Sequence, residues 1–75
     1  MTYVFLANGF EEMEALTTVD LLRRANVPVQ TVGVGGRQIM GSHQISVIAD
    51  IEEHEVTLED LEMAVLPGGL PGALN

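Results

Sequence analysis

The segment Tyr3-Val4-Phe5-Leu6-Ala7 is apolar at every position. A strand with one wet face alternates apolar and polar residues. A strand buried on both faces does not, and such strands belong to parallel sheets covered by helices on each side. The next thirty residues agree with that reading. Asn8-Gly9 has turn chemistry. From about Glu11 to Ala25 the spacing predicts a helix, with Ala15, Val19 and Leu22 on one stripe and Leu16 flanking it. Glu11, Glu12 and Glu14 open this helix and Arg23 and Arg24 close it, an order that complements the helix dipole. Asn26 suits a left-handed cap, and Pro28 prevents continuation. Val29 to Val34 is rich in β-branched residues and predicts a second strand. Strand, helix and strand make a βαβ unit with parallel strands and a right-handed crossover.

Gly33-Val34-Gly35-Gly36 breaks the pattern. Gln38 to Ala49 predicts a hairpin, with Ile39-Met40, a turn near Gly41-Ser42, and Ile45 to Ile48. Asp50 to Glu62 is strongly acidic. Within it, Thr57-Leu58-Glu59-Asp60 predicts a short helix opened by a capping box, with Asp60 in place of the usual Glu or Gln. Met63 to Leu66 predicts a third core strand, followed by Pro67-Gly68-Gly69. Leu70 to Asn75 then reads as the start of a helix with Pro71 at its first position. Three parallel strands and one full helix leave a sheet face bare. The expectation is therefore the N-terminal half of a larger doubly wound domain, with the remainder missing or on another chain.

Composition narrows the function classes. Three basic residues (Arg23, Arg24, Arg37) against eleven acidic ones give a net charge of −8. Phosphate backbones and anionic lipid surfaces require clustered Lys and Arg, so nucleic-acid and membrane-surface partners are not expected. The Tyr3–Ala7 run is too short to span a bilayer, and no basic region precedes it as in a signal peptide. A cytoplasmic protein is the expectation. In 75 residues there is no cysteine, so disulfides, thiolate metal sites and a thiol nucleophile are all excluded within this stretch. A chain of this length buries roughly 60% of its unfolded surface, a marginal core.

Two places carry candidate chemistry. Leu66-Pro67-Gly68-Gly69 ends a buried strand, where open α/β sheets bind ligands. Glycine lets the backbone approach a ligand, and its N–H groups can hold an anion or a developing oxyanion. A tight strand-to-helix turn explains the same glycines structurally. Gly9-Phe10-Glu11-Glu12-Met13-Glu14 leaves the first strand at the same carboxyl edge, so both segments are expected to border one crevice. Glu11 and Glu12 read as solvated helix-start charges. Glu14, if buried, would favour the neutral acid and could donate to an anionic nucleophile; periodicity favours the solvated reading for it too. Gly33-x-Gly35 lacks the third glycine of a dinucleotide fingerprint and precedes a hairpin. Glu52-Glu53-His54-Glu55 has metal-ligand residue types but reads as an acidic surface loop. His43 reads as a polar residue at a hairpin tip.

The stretches Phe5–Ala15, Val19–Ala25 and Val65–Ala73 resemble the ThiJ/PfpI family, the superfamily of the parkinsonism-linked protein deglycase, which is class I glutamine-amidotransferase-like. The GFEEME block with LPGG about fifty residues later is the specific part. The resemblance implies a flavodoxin-like α/β fold, a parallel sheet sandwiched by helices, usually in a homodimer through the first helix. It implies an active-site cysteine on a strand-to-helix elbow, beyond these residues, followed by a histidine. Glu14 matches the glutamate that contacts the sulfur. Gly68 and Gly69 match the oxyanion-hole turn, with Gly69 the expected donor. Asp20 matches an aspartate that approaches the neighbouring subunit's histidine, and Arg24 a basic residue near the interface and pocket. His43 stands where an arginine is usual, and Gly41 where some members carry a hairpin cysteine, which weakens anion binding and redox sensing there.

Family members are described as deglycases or glyoxalases, amidase-like proteases, redox sensors or chaperones, and bacterial ones are often labelled thiazole monophosphate biosynthesis proteins. The resemblance therefore implies a cysteine-dependent hydrolase or deglycase acting on a small carbonyl or peptide substrate, inactive without the cysteine-bearing remainder and needing no cofactor or metal. A non-enzymatic stress-response or small-molecule-binding module on the same fold is the alternative, since fold does not fix function. A flavin or nucleotide binder is a third reading, without a phosphate fingerprint to support it.

Overall fold

The computed structural model describes residues 1–68. Four strands form one all-parallel sheet in the order β5-β2-β1-β6. These are β1 (Thr2–Leu6), β2 (Val29–Gly33), β5 (Ile51–Glu52) and β6 (Met63–Val65). The first two are joined by α1 (Glu12–Arg24), the expected βαβ unit. β1 runs beside β2 from Thr2↔Val29 to Leu6↔Gly33, and beside β6 from Thr2↔Met63 to Val4↔Val65. It is the central strand, which is why Tyr3, Val4 and Leu6 are all buried and why its sequence does not alternate.

Helix α1 packs through Ala15 and Val19 onto this sheet, in a core with Val4, Leu6, Phe10, Val29 and Ile39. Its end is fixed as expected. Asn26 takes a left-handed φ of 62°, and Val27 N–H closes back on the Leu22 carbonyl at 3.0 Å. The Arg23 guanidinium reaches the Val29 carbonyl (3.2 Å) and the Asp50 carboxylate (2.8 Å). That carboxylate also accepts the Thr31 N–H at 2.9 Å, while the Thr31 hydroxyl accepts the Asp50 N–H at 2.8 Å. Helix end, β2 and the entry to β5 are thereby pinned together.

A separate antiparallel hairpin, β3 (Gln38–Met40) with β4 (Ser46–Ile48), confirms the predicted one. Its loop is wider than the predicted Gly41-Ser42 turn. Gly41 N–H donates to the Ile45 carbonyl at 2.9 Å, and Gln44 enters the left-handed region at φ 64°.

Three expectations are corrected. The acidic stretch contributes a fourth strand, β5, paired as Val32↔Ile51 and Gly33↔Glu52. Its two residues carry no pattern of their own. Second, Thr57–Asp60 is a turn, not a helix. The Thr57 hydroxyl donates to the Asp60 carboxylate at 2.9 Å, so the two side chains satisfy each other. The helical turn of this region is instead a 3-10 turn at Glu53–Glu55, where the Glu55 carboxylate accepts the Glu52 N–H at 2.8 Å. Third, β6 is not buried among the described residues: Met63 is 56% and Leu66 77% exposed. Among the described residues only β1 flanks it, which leaves one edge and much of its face uncovered there. The predicted helix start at Leu70–Asn75, with Pro71, lies outside the described residues.

Candidate functional site

The β1–α1 junction and the exit of β6 meet at the carboxyl edge of the sheet, as the parallel topology requires. They are laced in both directions. Glu11 N–H donates to the Gly68 carbonyl at 2.8 Å, and Gly68 N–H donates to Glu14 Oε1 at 2.9 Å. The Glu14 side chain lies over Gly68 closely enough that a Cβ there would sit 3.2 Å from Oε2. Glycine is what allows this approach. Glu14 itself is exposed, as its periodicity predicts, and its Oε2 has no hydrogen-bond partner among the described residues. The Gly68 N–H is committed to Glu14. Gly69 lies outside the described residues.

Glu11 is the N-cap of α1. Its Oε1 accepts the N–H groups of Met13 (2.6 Å) and Glu14 (3.3 Å), two of the donors a helix start leaves unpaired. The cap orients the first turn and with it Glu14.

The hairpin docks onto the same junction through the backbone. Gly9 N–H donates to the Met40 carbonyl and Ser42 N–H to the Phe10 carbonyl, both at 2.8 Å. Met40 N–H donates to Asn8 Oδ1 at 3.0 Å. Phe10, 1% exposed, is the apolar plug beneath this contact.

The largest departure from expectation is Glu12. Sequence reasoning made it a solvated helix-start charge; it is 4% exposed. Its place follows from helical geometry, because Glu12, Ala15 and Val19 form one i, i+3, i+7 stripe facing inward. There the carboxylate acts as a receptor for the hairpin loop. Oε2 accepts the N–H groups of His43 (2.7 Å) and Ile45 (3.3 Å). Oε1 accepts from the His43 ring at Nδ1 (2.7 Å) and from the Ser42 hydroxyl (3.4 Å). A Cβ on Gly41 would run into this carboxylate. Burial alone pushes Glu12 up; the His43 ring bond and the surrounding N–H donors outweigh it and hold the carboxyl down at about 2. His43 is raised from its ordinary value, chiefly by that hydrogen bond and by the charge of Glu12, with a smaller push from Glu11.

Beside this link lies an open, mostly apolar depression of about 280 Å³ lined by Glu11, Glu12, Met13, His43 and Ile45. Glu11, Glu12 and His43 place ligand atoms within 4.8 Å of one another, the spacing of a cation site. Every lone-pair direction of Glu12 already faces a donor and Glu11 caps a helix, so the cluster is a hydrogen-bond network. Asp20, matched by resemblance to a residue that approaches a partner's histidine, pairs with Arg24 of its own helix at 3.0 Å. Both are exposed, and such i,i+4 pairs contribute about 0.3–0.5 kcal/mol. His54 lies exposed in the 3-10 turn.

Comparison with known proteins agrees with this fold. The model of the DJ-1/PfpI family matches residues 2–75. Protein dj-1beta of Drosophila melanogaster is 38% identical over 71 residues, covering 93% of this chain and 38% of that protein. The crystal structure of Drosophila melanogaster DJ-1beta superposes with a TM-score of 0.89 at 36% identity, over 95% of this chain and 39% of the other. A mutant of a DJ-1 superfamily protein from Salmonella typhimurium superposes with a TM-score of 0.86 at 38% identity, over 92% and 38%. The chain thus spans less than two fifths of the length of each of these three relatives.

Proposed function

The chain belongs to the DJ-1/PfpI family, and from that premise we propose that it supplies the N-terminal half of the active site of a cysteine-dependent hydrolase or deglycase. The nucleophile and its histidine come from the remainder of the domain. The observation that carries this reading is the Glu14–Gly68 pair. Gly68 holds one Glu14 oxygen at the carboxyl edge of the sheet, and the second oxygen is left for a reacting group in the crevice.

The chemistry rests on what each group can do. A thiolate entering beside Glu14 attacks the carbonyl carbon of a small carbonyl compound or a peptide. The carbonyl oxygen gains the charge, and N–H donors of the glycine turn stabilise it. Because Gly68 N–H is taken by Glu14, that donor role falls to Gly69. Glu14 orients the sulfur by a hydrogen bond in which one proton is shared between its free oxygen and the sulfur, and thiolate chemistry responds strongly to such bonds.

The partners proposed are the cysteine-bearing remainder, which covers the exposed Met63 and Leu66, and a second subunit. The outer face of α1 carries Met13, Leu16 and Leu21, exposed by 76%, 39% and 60%. Apolar groups of this kind are suited to a homodimer contact, with Asp20 and Arg24 on the same face of the helix. Among the described residues no helix is long and apolar enough to cross a membrane; a cytoplasmic location is proposed on the acidic composition.

The test is the full-length protein. A cysteine on a strand-to-helix elbow after the Gly68-Gly69 turn, whose replacement by alanine abolishes turnover of a methylglyoxal-type carbonyl or a peptide while leaving the fold intact, supports the reading. A continuation without that cysteine overturns it.

A further inference from the structure

The geometry points to Glu12 as a positioning residue, whose buried carboxylate fastens the hairpin loop 41–45 onto the start of α1, and to His43 as the group that makes this fastening depend on protonation.

Besides Glu12, the loop is held to the helix start by the Ser42 N–H to Phe10 carbonyl bond. Its own cross-strand bond ends at Gly41 N–H to the Ile45 carbonyl. The N–H groups of His43 and Ile45 both find their acceptor in Glu12 Oε2. Glu12 is the buried partner, at 4% exposed, and a buried carboxylate needs such donors, so it stands in for a missing piece of β-ladder. Gly41 completes the fit, because any side chain there would occupy the volume of the Glu12 carboxylate.

His43 adds the pH dependence. Its ring is bonded to Glu12 through Nδ1 at 2.7 Å but is itself 68% exposed, so it exchanges protons with solvent freely. The charged groups facing it are Glu12 and Glu11 of the helix start, both acidic. The hairpin from Gln38 to Ile48 carries no other charged residue. With His43 protonated, the fastening is an ion pair plus two backbone bonds. With His43 neutral, the carboxylate keeps its hydrogen bonds from neutral donors only, and the acidic pair Glu11 and Glu12 loses its counter-charge. The loop then loosens without detaching. It lines the depression beside the Glu11–Gly68 lacing, so its position bears on the site proposed above. That consequence rests on the proposed function; the fastening itself does not.

The experiment uses the full-length protein. Amide hydrogen exchange of His43 and Ile45 is followed by NMR against pH, together with the ring titration of His43 in the same sample. Protection is expected to fall as His43 deprotonates, by about tenfold for every pH unit separating its folded midpoint from the ordinary one. H43R, which keeps a permanent charge, should remove the pH dependence while keeping protection. E12Q should lower protection at every pH and return the His43 midpoint towards its ordinary value. Protection unchanged across the His43 titration, or an H43R profile that still follows the wild type, overturns the proposal. H43R and the wild type decide the matter even if E12Q does not fold. Because the readout needs no turnover, the fastening can stand while the hydrolase reading fails, and the converse.

Discussion

Gly68 N–H donates to Glu14 Oε1 at 2.9 Å across 54 residues of sequence. The bond joins the first turn of α1 to the exit of β6, and the Glu11 N–H returns the connection to the Gly68 carbonyl. The carboxylate is therefore placed by two strand ends at once. Neither end could aim it alone, since an exposed helical glutamate has several free torsions.

Gly41→Ala should destabilise the protein by about 1–3 kcal/mol, the usual penalty for forcing a methyl group into filled space. The new Cβ meets the Glu12 carboxylate. Chemical denaturation of the full-length protein measures the change. A neutral result would mean that the loop and Glu12 are less closely fitted than described.

Asp50→Ala should cost about 1–3 kcal/mol, because the Thr31 N–H loses its acceptor inside the sheet. Asp50→Asn keeps an acceptor for that N–H and loses only the half-exposed pairing with Arg23, so it should cost under about 1 kcal/mol. Equal effects from the two substitutions would assign the stability to the ion pair instead of the backbone contact.

The Glu12–His43 link predicts a bounded pH window. Glu12 is depressed from 4.5 to about 2, so its stabilising contribution is complete above 4.5 and is lost as pH falls through about 2. His43 is raised above 6.5, so its contribution is complete below 6.5 and is lost as pH rises through the higher folded value. Thermal midpoints should therefore decline on the alkaline side in the wild type and decline less in H43R. Parallel alkaline limbs would contradict this.

Much of the architecture was legible in the chain. The unbroken apolar run Tyr3–Ala7 announced a central parallel strand, and Asn26 with Pro28 marked the helix end. The glycine turn and the GFEEME block were correctly expected to share one edge of the sheet. The residue type of Glu12 suggests solvent, while the stripe of Ala15 and Val19, carried back by three residues, names it as inward-facing. Periodicity outweighed residue type there because the hairpin brings donors to the carboxylate. Those donors come from about 30 residues away and act largely through the backbone, so no local pattern records them. The two-residue strand β5 was invisible for the same reason: its pairing is backbone geometry set by β2.

The most direct test of the account is the alkylation rate of the domain's cysteine against pH, measured in the full-length protein and in its Glu14→Gln and Glu14→Leu variants. If Glu14, held by Gly68, tunes that sulfur, both variants should react more slowly at neutral pH, with the midpoint of the rate profile displaced and Leu more affected than Gln. Superimposable profiles for the three proteins would contradict the account.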